Sequence, residues 1–187
     1  MKEYRSSIRS KKLIRGAMIE LLAEKDISKI TVVDIIKRAD LSRNTFYAHY
    51  QDVFAVLEEL EDEFLAGMNL YLDEAIQNRE FSEPLSLLQK FQRFVENNVE
   101  TNRLLLANQN AAAFCEKIKR IFIARVMENL PTTGVKDTEG FLIFLECVMG
   151  GFVSLYQKSL KHETTLTLDD ITAEINQIYT WGLNKYL

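Results

Sequence analysis

Among its 187 residues the chain has only two cysteines, two prolines, two histidines and seven glycines. Each scarcity removes a class of protein. Cys115 and Cys147 lie far apart, with no CxxC spacing and no histidine beside them, which excludes a zinc cluster or disulfide framework and fits a reducing, cytoplasmic setting. With His49 and His162 alone, and with no HExxH, nucleophile elbow or phosphate-cradling glycine loop, there is little from which to assemble a catalytic centre. The chain therefore reads as no enzyme, with no metal and no cofactor. No stretch approaches the roughly 18 uncharged residues of a membrane span, and the N-terminal MKEYRSSIRSKKLIRG is too polar for a signal peptide, so no membrane is expected as a partner.

What the shortage of glycine and proline leaves room for is helix. Apolar residues recur at three- and four-residue steps and no strand alternation competes, which predicts an all-α fold. Ile14, Ala17, Met18, Leu21 and Leu22 form one stripe of a first helix, and Arg5, Arg9 and Lys12 line another face. Thr31 and Asp34 have the spacing of a capping box before Val32, Ile35, Ile36 and Ala39. Ser42 is the next cap, with Leu41 set to staple onto Phe46, and Asp52 opens a long helix to about residue 78. Pro84 starts a further pattern, NLPTTG at 129–134 breaks one that runs from about Ala112, and two long helices near 137–161 and 168–186 close the chain. The last of these begins at a second capping box, Thr167 with Asp170.

The formal charge of −4 is unevenly spread: residues 1–50 hold 11 Lys and Arg against 6 Asp and Glu, and the remainder 12 against 21. That division suggests a basic contact module on an acidic body. The run Glu58, Glu59, Glu61, Asp62 and Glu63 reads as a solvated helix face.

Two short helices joined by a tight turn behind a supporting helix form a helix-turn-helix arrangement. With Leu41, Phe46 and Tyr50 turned inward, Arg43, Asn44, Tyr47 and Ala48 share the outer face of the second short helix, RNTFYAH. Arg can bond both acceptors of guanine, Asn can bond adenine, and Ala48 can meet a thymine methyl. Thr45, Tyr47 and His49 are placed for phosphates, and Lys2 and Arg5 form a basic arm for backbone or minor groove.

Residues 30–60, ITVVDIIKRADLSRNTFYAHYQDVFAVLEEL, resemble the N-terminal domain of TetR/AcrR-type regulators: T-V-x-D-I, then A-G-hydrophobic-S, then T-hydrophobic-Y-x-H-aromatic, then an aspartate opening helix four. The resemblance implies that Arg43, Asn44 and Ala48 face bases, that Thr45, Tyr47 and His49 hold phosphates, and that Thr31 lies near the backbone. Asp40 stands where the family has glycine and Val53 where it has a phosphate-binding lysine. The organisation expected is a DNA-binding domain, 1–52, and a larger helical bundle, 53–187, that binds an effector and dimerises, with helix 53–78 connecting them.

In that bundle Gly150 and Gly151 interrupt an apolar helix, as close helix approach at a two-fold interface would explain, and Ile171, Ile175 and Ile178 line the last helix beside it. Phe91, Phe94, Leu105, Phe114, Phe122, Phe144 and Tyr156 are candidate linings of an effector pocket. Cys115 and Cys147 read as small buried residues. GGFVSLYQKSL resembles a C-terminal type that includes activators of dihydroxyacetone-kinase operons. The function implied is a homodimeric, sequence-specific transcriptional regulator on a double-stranded operator, a repressor controlled by an apolar or aromatic small molecule. The alternative is a TetR-like or helical interaction protein controlled by a protein partner, with no small ligand.

Overall fold

The computed structural model describes residues 2–78, 84–97, 99–108, 111–129, 135–183 and 185–186; for 2–6, 84–88 and 99–100 only the backbone is described. Among these residues all regular structure is helical: α1 (Lys2–Glu24), a 3-10 turn (Ile27–Lys29), α2 (Val32–Ala39), α3 (Arg43–Tyr47), α4 (Val53–Gln77), α5 (Pro84–Glu96), α6 (Val99–Ala107), α7 (Ala112–Glu128), α8 (Thr138–Leu160) and α9 (Leu168–Leu183). Most boundaries fall on the expected caps. α6 is a separate helix that the periodicity did not resolve from α5, and of the NLPTTG break all but Asn129 lies outside the described residues.

The chain divides into two compact units, Met1–Phe64 with Asn108–Asn110, and Leu65–Ala107 with Ala111–Leu187. α4 contributes its first half to one and its second half to the other. In the first unit α1 packs on α2 and α3, and α2 on α3. Their shared core is Ile14, Met18, Ile27, Ile35 and Phe46, each 2% exposed or less. Burying such side chains contributes about 1.5–3 kcal/mol apiece.

Caps set the turns of this unit. Thr31 Oγ1 accepts from the Asp34 N–H at 3.2 Å, while Asp34 Oδ2 accepts from the Thr31 N–H at 2.9 Å and hydroxyl at 2.8 Å. Lys25 Nζ adds an ion pair at 2.9 Å. The Lys25 bond first, and then those from Thr31, hold the Asp34 carboxyl well below the usual carboxylate range. A pKa depressed in the folded state gives stability that is present above the unfolded value, about 3.9, and is lost as pH falls through the folded value. Asp34→Asn should therefore lower the melting temperature at neutral pH, and its deficit from wild type should shrink as pH is taken down from about 4. A deficit constant over that range would show that the carboxylate charge is not what holds the cap.

In the second unit α8 packs on α6, α7 and α9, and α5 packs on α6 and α9. Phe141, Leu145, Val148, Met149, Phe152, Tyr156 and Leu160 repeat at helical spacing down the buried side of α8. Contrary to the sequence reading, α8 is long and apolar enough to cross a membrane by length and composition. Seven of its side chains lie in the core of the second unit, where the helix packs against three others. Gln92, 7% exposed, ties α5 to α9: its Nε2 donates to Asp169 at 2.9 Å and its Oε1 accepts from Thr172 at 3.0 Å. The C-terminus of α8 is closed from α6, where Arg103 Nε donates to the Leu160 carbonyl at 3.0 Å.

Candidate nucleic-acid interface

Three residues, Asp40 to Ser42, join α2 to α3. Asp40 closes α2 in the left-handed conformation, φ 53° and ψ 51°, and its N–H bonds the Ile36 carbonyl. Glycine would adopt this conformation without strain; aspartate tolerates it. Ser42 then caps α3 by accepting from the Thr45 N–H at 3.1 Å. α3 is two residues shorter than the RNTFYAH reading: Ala48 is its C-cap and His49 lies beyond it.

Phe46 is wholly buried and Tyr50 is 5% exposed, their ring centroids 5.9 Å apart. Burial, with the Glu59 charge adding to it, pushes the Tyr50 phenol above its ordinary pKa, so it stays neutral. With these two rings inward, Arg43, Asn44, Tyr47 and Ala48 are exposed together, and no acid occurs from Ser42 to Tyr50. Thr45 and His49 are half-buried at the edge of that face. His49 Nε2 lies 2.7 Å from Ser10 Oγ on α1, so one ring nitrogen is engaged within the fold. The Thr31 hydroxyl is spent on its capping box. Lys2 and Arg5 belong to the first turns of α1, so their backbone is helical and not an extended arm; their side chains lie outside the described residues.

The charge division of the sequence is redrawn by the fold. Including the start of α4, residues 1–64 carry 11 Lys and Arg against 12 Asp and Glu. The acid run is not simply solvated: Glu59 pairs with Lys11 at 2.7 Å and with Arg15 at 3.7 Å, and Glu63 also pairs with Arg15. Arg38 bonds Glu20 and Glu24. Arg43 at the head of α3 has no such partner among the described residues. Sequence reasoning missed both Ser10 and the clasp of α1 on α4. Signals were there: Ser10 stands four residues before Ile14 in the apolar stripe, and Lys11 and Arg15 match the four-residue spacing of Glu59 and Glu63.

Two further sites lie in the second unit. Phe91, Leu106, Cys115, Ile118, Phe152, Val153, Tyr156 and Gln157 surround a small cavity, about 20 Å³ of room for a water's centre, and the atoms facing it are apolar. Of the seven expected lining residues it gathers Phe91 and Tyr156. Leu105, Phe114 and Phe122 are core, Phe94 packs on Tyr71 and Phe91, and Phe144 packs on Tyr179 and Tyr186. Cys115 is buried as expected, but Cys147 is exposed.

The expected interface residues separate likewise. Ile171 and Ile175 are 1% and 4% exposed, buried against the chain's own helices, whereas Ile178 is 51% exposed. Leu142, Ile143 and Trp181 are also exposed, the last at 83%. Among the described residues nothing crowds Gly150 or Gly151, where an added Cβ would meet open space. Close approaches occur instead at Gly182, where the Phe144 ring occupies the room a Cβ would need, and at Gly67, against the Phe94 ring.

No protein-family model matches the chain. A helix-turn-helix-type transcriptional regulator of Bacillus subtilis, YxbF, is 29% identical over 65 residues, which are 35% of this chain and 17% of that relative's length. A TetR transcriptional regulator from Streptococcus agalactiae matches in structure over 95% of this chain and 97% of its own, at 26% identity and a TM-score of 0.66. A TetR/AcrR-type regulator from Aquifex aeolicus matches at 21% identity over 94% and 98% of the two chains, with a TM-score of 0.59. The dihydroxyacetone kinase operon activator DhaS shares the fold at 14% identity and a TM-score of 0.60, over 95% and 97%. With a capped turn and an exposed, acid-free short helix in its first unit, and this likeness along nearly its whole length, the chain is similar in fold to TetR and TetR/AcrR-type transcriptional regulators.

Proposed function

We propose that the chain is a cytoplasmic, homodimeric, sequence-specific DNA-binding repressor, reading its operator with residues 1–52 and dimerising and receiving its signal through 53–187. The observation that carries this is the outer face of α3: Arg43, Asn44, Tyr47 and Ala48 exposed together, free of acid, on a helix anchored beneath by Phe46. Arg43 and Asn44 read base edges and Ala48 a thymine methyl, while Thr45, Tyr47, His49 and Thr31 hold phosphates with help from Lys2 and Arg5. Two copies related by a two-fold axis present two such helices to successive major grooves, about 34–36 Å apart or at a wider groove-matched spacing. A dimer seated so occludes a promoter, which is the simplest route to repression.

Selection of duplexes from a random pool tests this reading, which fails if no sequence is enriched. Arg43→Ala should relax preference at one base pair per half-site, at a cost of about 1–3 kcal/mol for the favoured base, whereas Tyr47→Phe should weaken all sequences alike. Uniform loss for Arg43→Ala would remove it from base reading.

For the signal, the apolar walls of the cavity suit an apolar or aromatic effector. Its size supports a second reading. A space of about 20 Å³ admits one water, so control by a protein partner needs no rearrangement of this interior, whereas an effector must open it. Melting the protein against a panel of aromatic compounds separates the two: stabilisation that Phe152→Trp abolishes favours the effector, and no stabilisation by any compound favours the partner.

A further inference from the structure

We propose that Ser10 is a positioning residue for DNA binding: from α1 it fixes the His49 ring in the orientation in which that ring meets a backbone phosphate. The inference rests on the DNA-binding reading and adds a residue to it. Ser10 is 8% exposed and occupies a position in the stripe that continues with Ile14, Ala17 and Met18. A stripe that only had to pack would be served as well by alanine, without a hydroxyl to desolvate. Two of the hydroxyl's contacts set its geometry. It donates to the Ser7 carbonyl at 3.0 Å, and its oxygen lies 2.7 Å from His49 Nε2.

A hydroxyl has one proton. With that proton on the Ser7 carbonyl, Ser10 Oγ is left as an acceptor, and His49 Nε2–H donates to it. The ring is thereby fixed in tautomer as well as in place. His49 sits just past the end of α3, its backbone N–H on the Phe46 carbonyl at 2.9 Å, half-buried at the edge of the reading face. Its remaining nitrogen, Nδ1, meets a phosphate oxygen with a proton only when the ring is an imidazolium, so the contact belongs to the charged ring. The ionisable groups around this corner are Lys11 and Arg15 from α1, Glu59 and Glu63 from α4, which pair with them, and the Tyr50 phenol, whose ring centroid is 6.3 Å from that of His49. The two cations being matched by the two carboxylates, the local charge leaves the imidazolium to be drawn by the phosphate.

The test measures affinity for one selected duplex between about pH 6 and 8, the range in which histidines change charge, for wild type, Ser10→Ala, Ser10→Thr, His49→Ala and the double alanine variant, with a thermal melt of each. We expect wild-type affinity to rise as pH falls, and Ser10→Ala and His49→Ala each to lose about tenfold at the acid end, the scale of a hydrogen bond to a charged group, and to lose the pH dependence. The double variant should bind no worse than His49→Ala, and Ser10→Thr, which keeps the hydroxyl, should bind as wild type. The inference is overturned if Ser10→Ala binds with the wild-type pH profile, if its loss persists in the His49→Ala background, or if Ser10→Thr fails as Ser10→Ala does. Wild type selecting no duplex would sink the DNA-binding reading itself; wild-type selection indifferent to Ser10 would sink this inference alone.

Discussion

Replacing Phe46 by alanine should cost about 3–5 kcal/mol, the usual range for deleting a buried aromatic ring, and should abolish DNA binding. α3 has five residues, and a helix that short has no stability of its own in water. Its caps fix where it starts, but what keeps it in place is the ring beneath it, wholly buried, in edge contact with Tyr47 at 5.5 Å and tilted against Tyr50. Removing that ring leaves a cavity under the one face that must be rigid. Because the chain has two compact units, a melting curve alone does not say where in the chain protection is lost. Hydrogen exchange resolves the effect: amides of α2 and α3 should lose protection while those of α8 keep theirs. Unchanged protection across α3 would mean that the helix is held by something other than Phe46.

The second large effect should come from Trp181→Asp, which we expect to leave the proposed dimer as folded monomers. Trp181 is 83% exposed, so little of the chain's own core depends on it, and the charge is free of cost until a second copy arrives. At a two-fold interface every substitution occurs twice, so two carboxylates would be buried together with no cation supplied. A weakening of self-association by at least about 100-fold is the scale of a central aromatic lost from an interface. Affinity for a duplex with two half-sites should fall with it, because the second half-site is no longer engaged from a tethered partner. Sedimentation at micromolar protein decides the matter: a variant that sediments as wild type places the interface elsewhere. Ile171→Asp is the contrasting variant. Buried at 1%, Ile171 should cost the fold of the second unit itself.

What the sequence disclosed and what it withheld divide by the range of the interactions. Thr31 with Asp34, Ser42 with Thr45, Asp52 with Ala55 and Thr167 with Asp170 all act across three residues, so each was legible as a short string, and each is present. The burial of Phe46 and Tyr50 followed from helical periodicity, as did the exposure of Arg43, Asn44, Tyr47 and Ala48. Ser10 with His49 spans 39 residues and Arg15 with Glu63 spans 48. Nothing local marks such pairs until the helices are set side by side. The cavity was half-legible for a different reason: residue type says that Phe144 is buried somewhere, not that its ring turns to Tyr179 and away from Phe91. The last helix was misjudged in the same way, since an isoleucine at apolar spacing serves a core or a partner equally well.

The clasp between α1 and α4 has a thermodynamic consequence. DNA gains from a protein's cations chiefly by shedding condensed sodium or potassium, about 0.9 ion for each phosphate neutralised. Lys11, Arg15, Lys25 and Arg38 are already matched by Glu59, Glu63, Asp34, Glu20 and Glu24, so they displace little from the duplex. Operator occupancy should accordingly respond more gently to ionic strength than the 11 Lys and Arg of the first 50 residues would give if all were free.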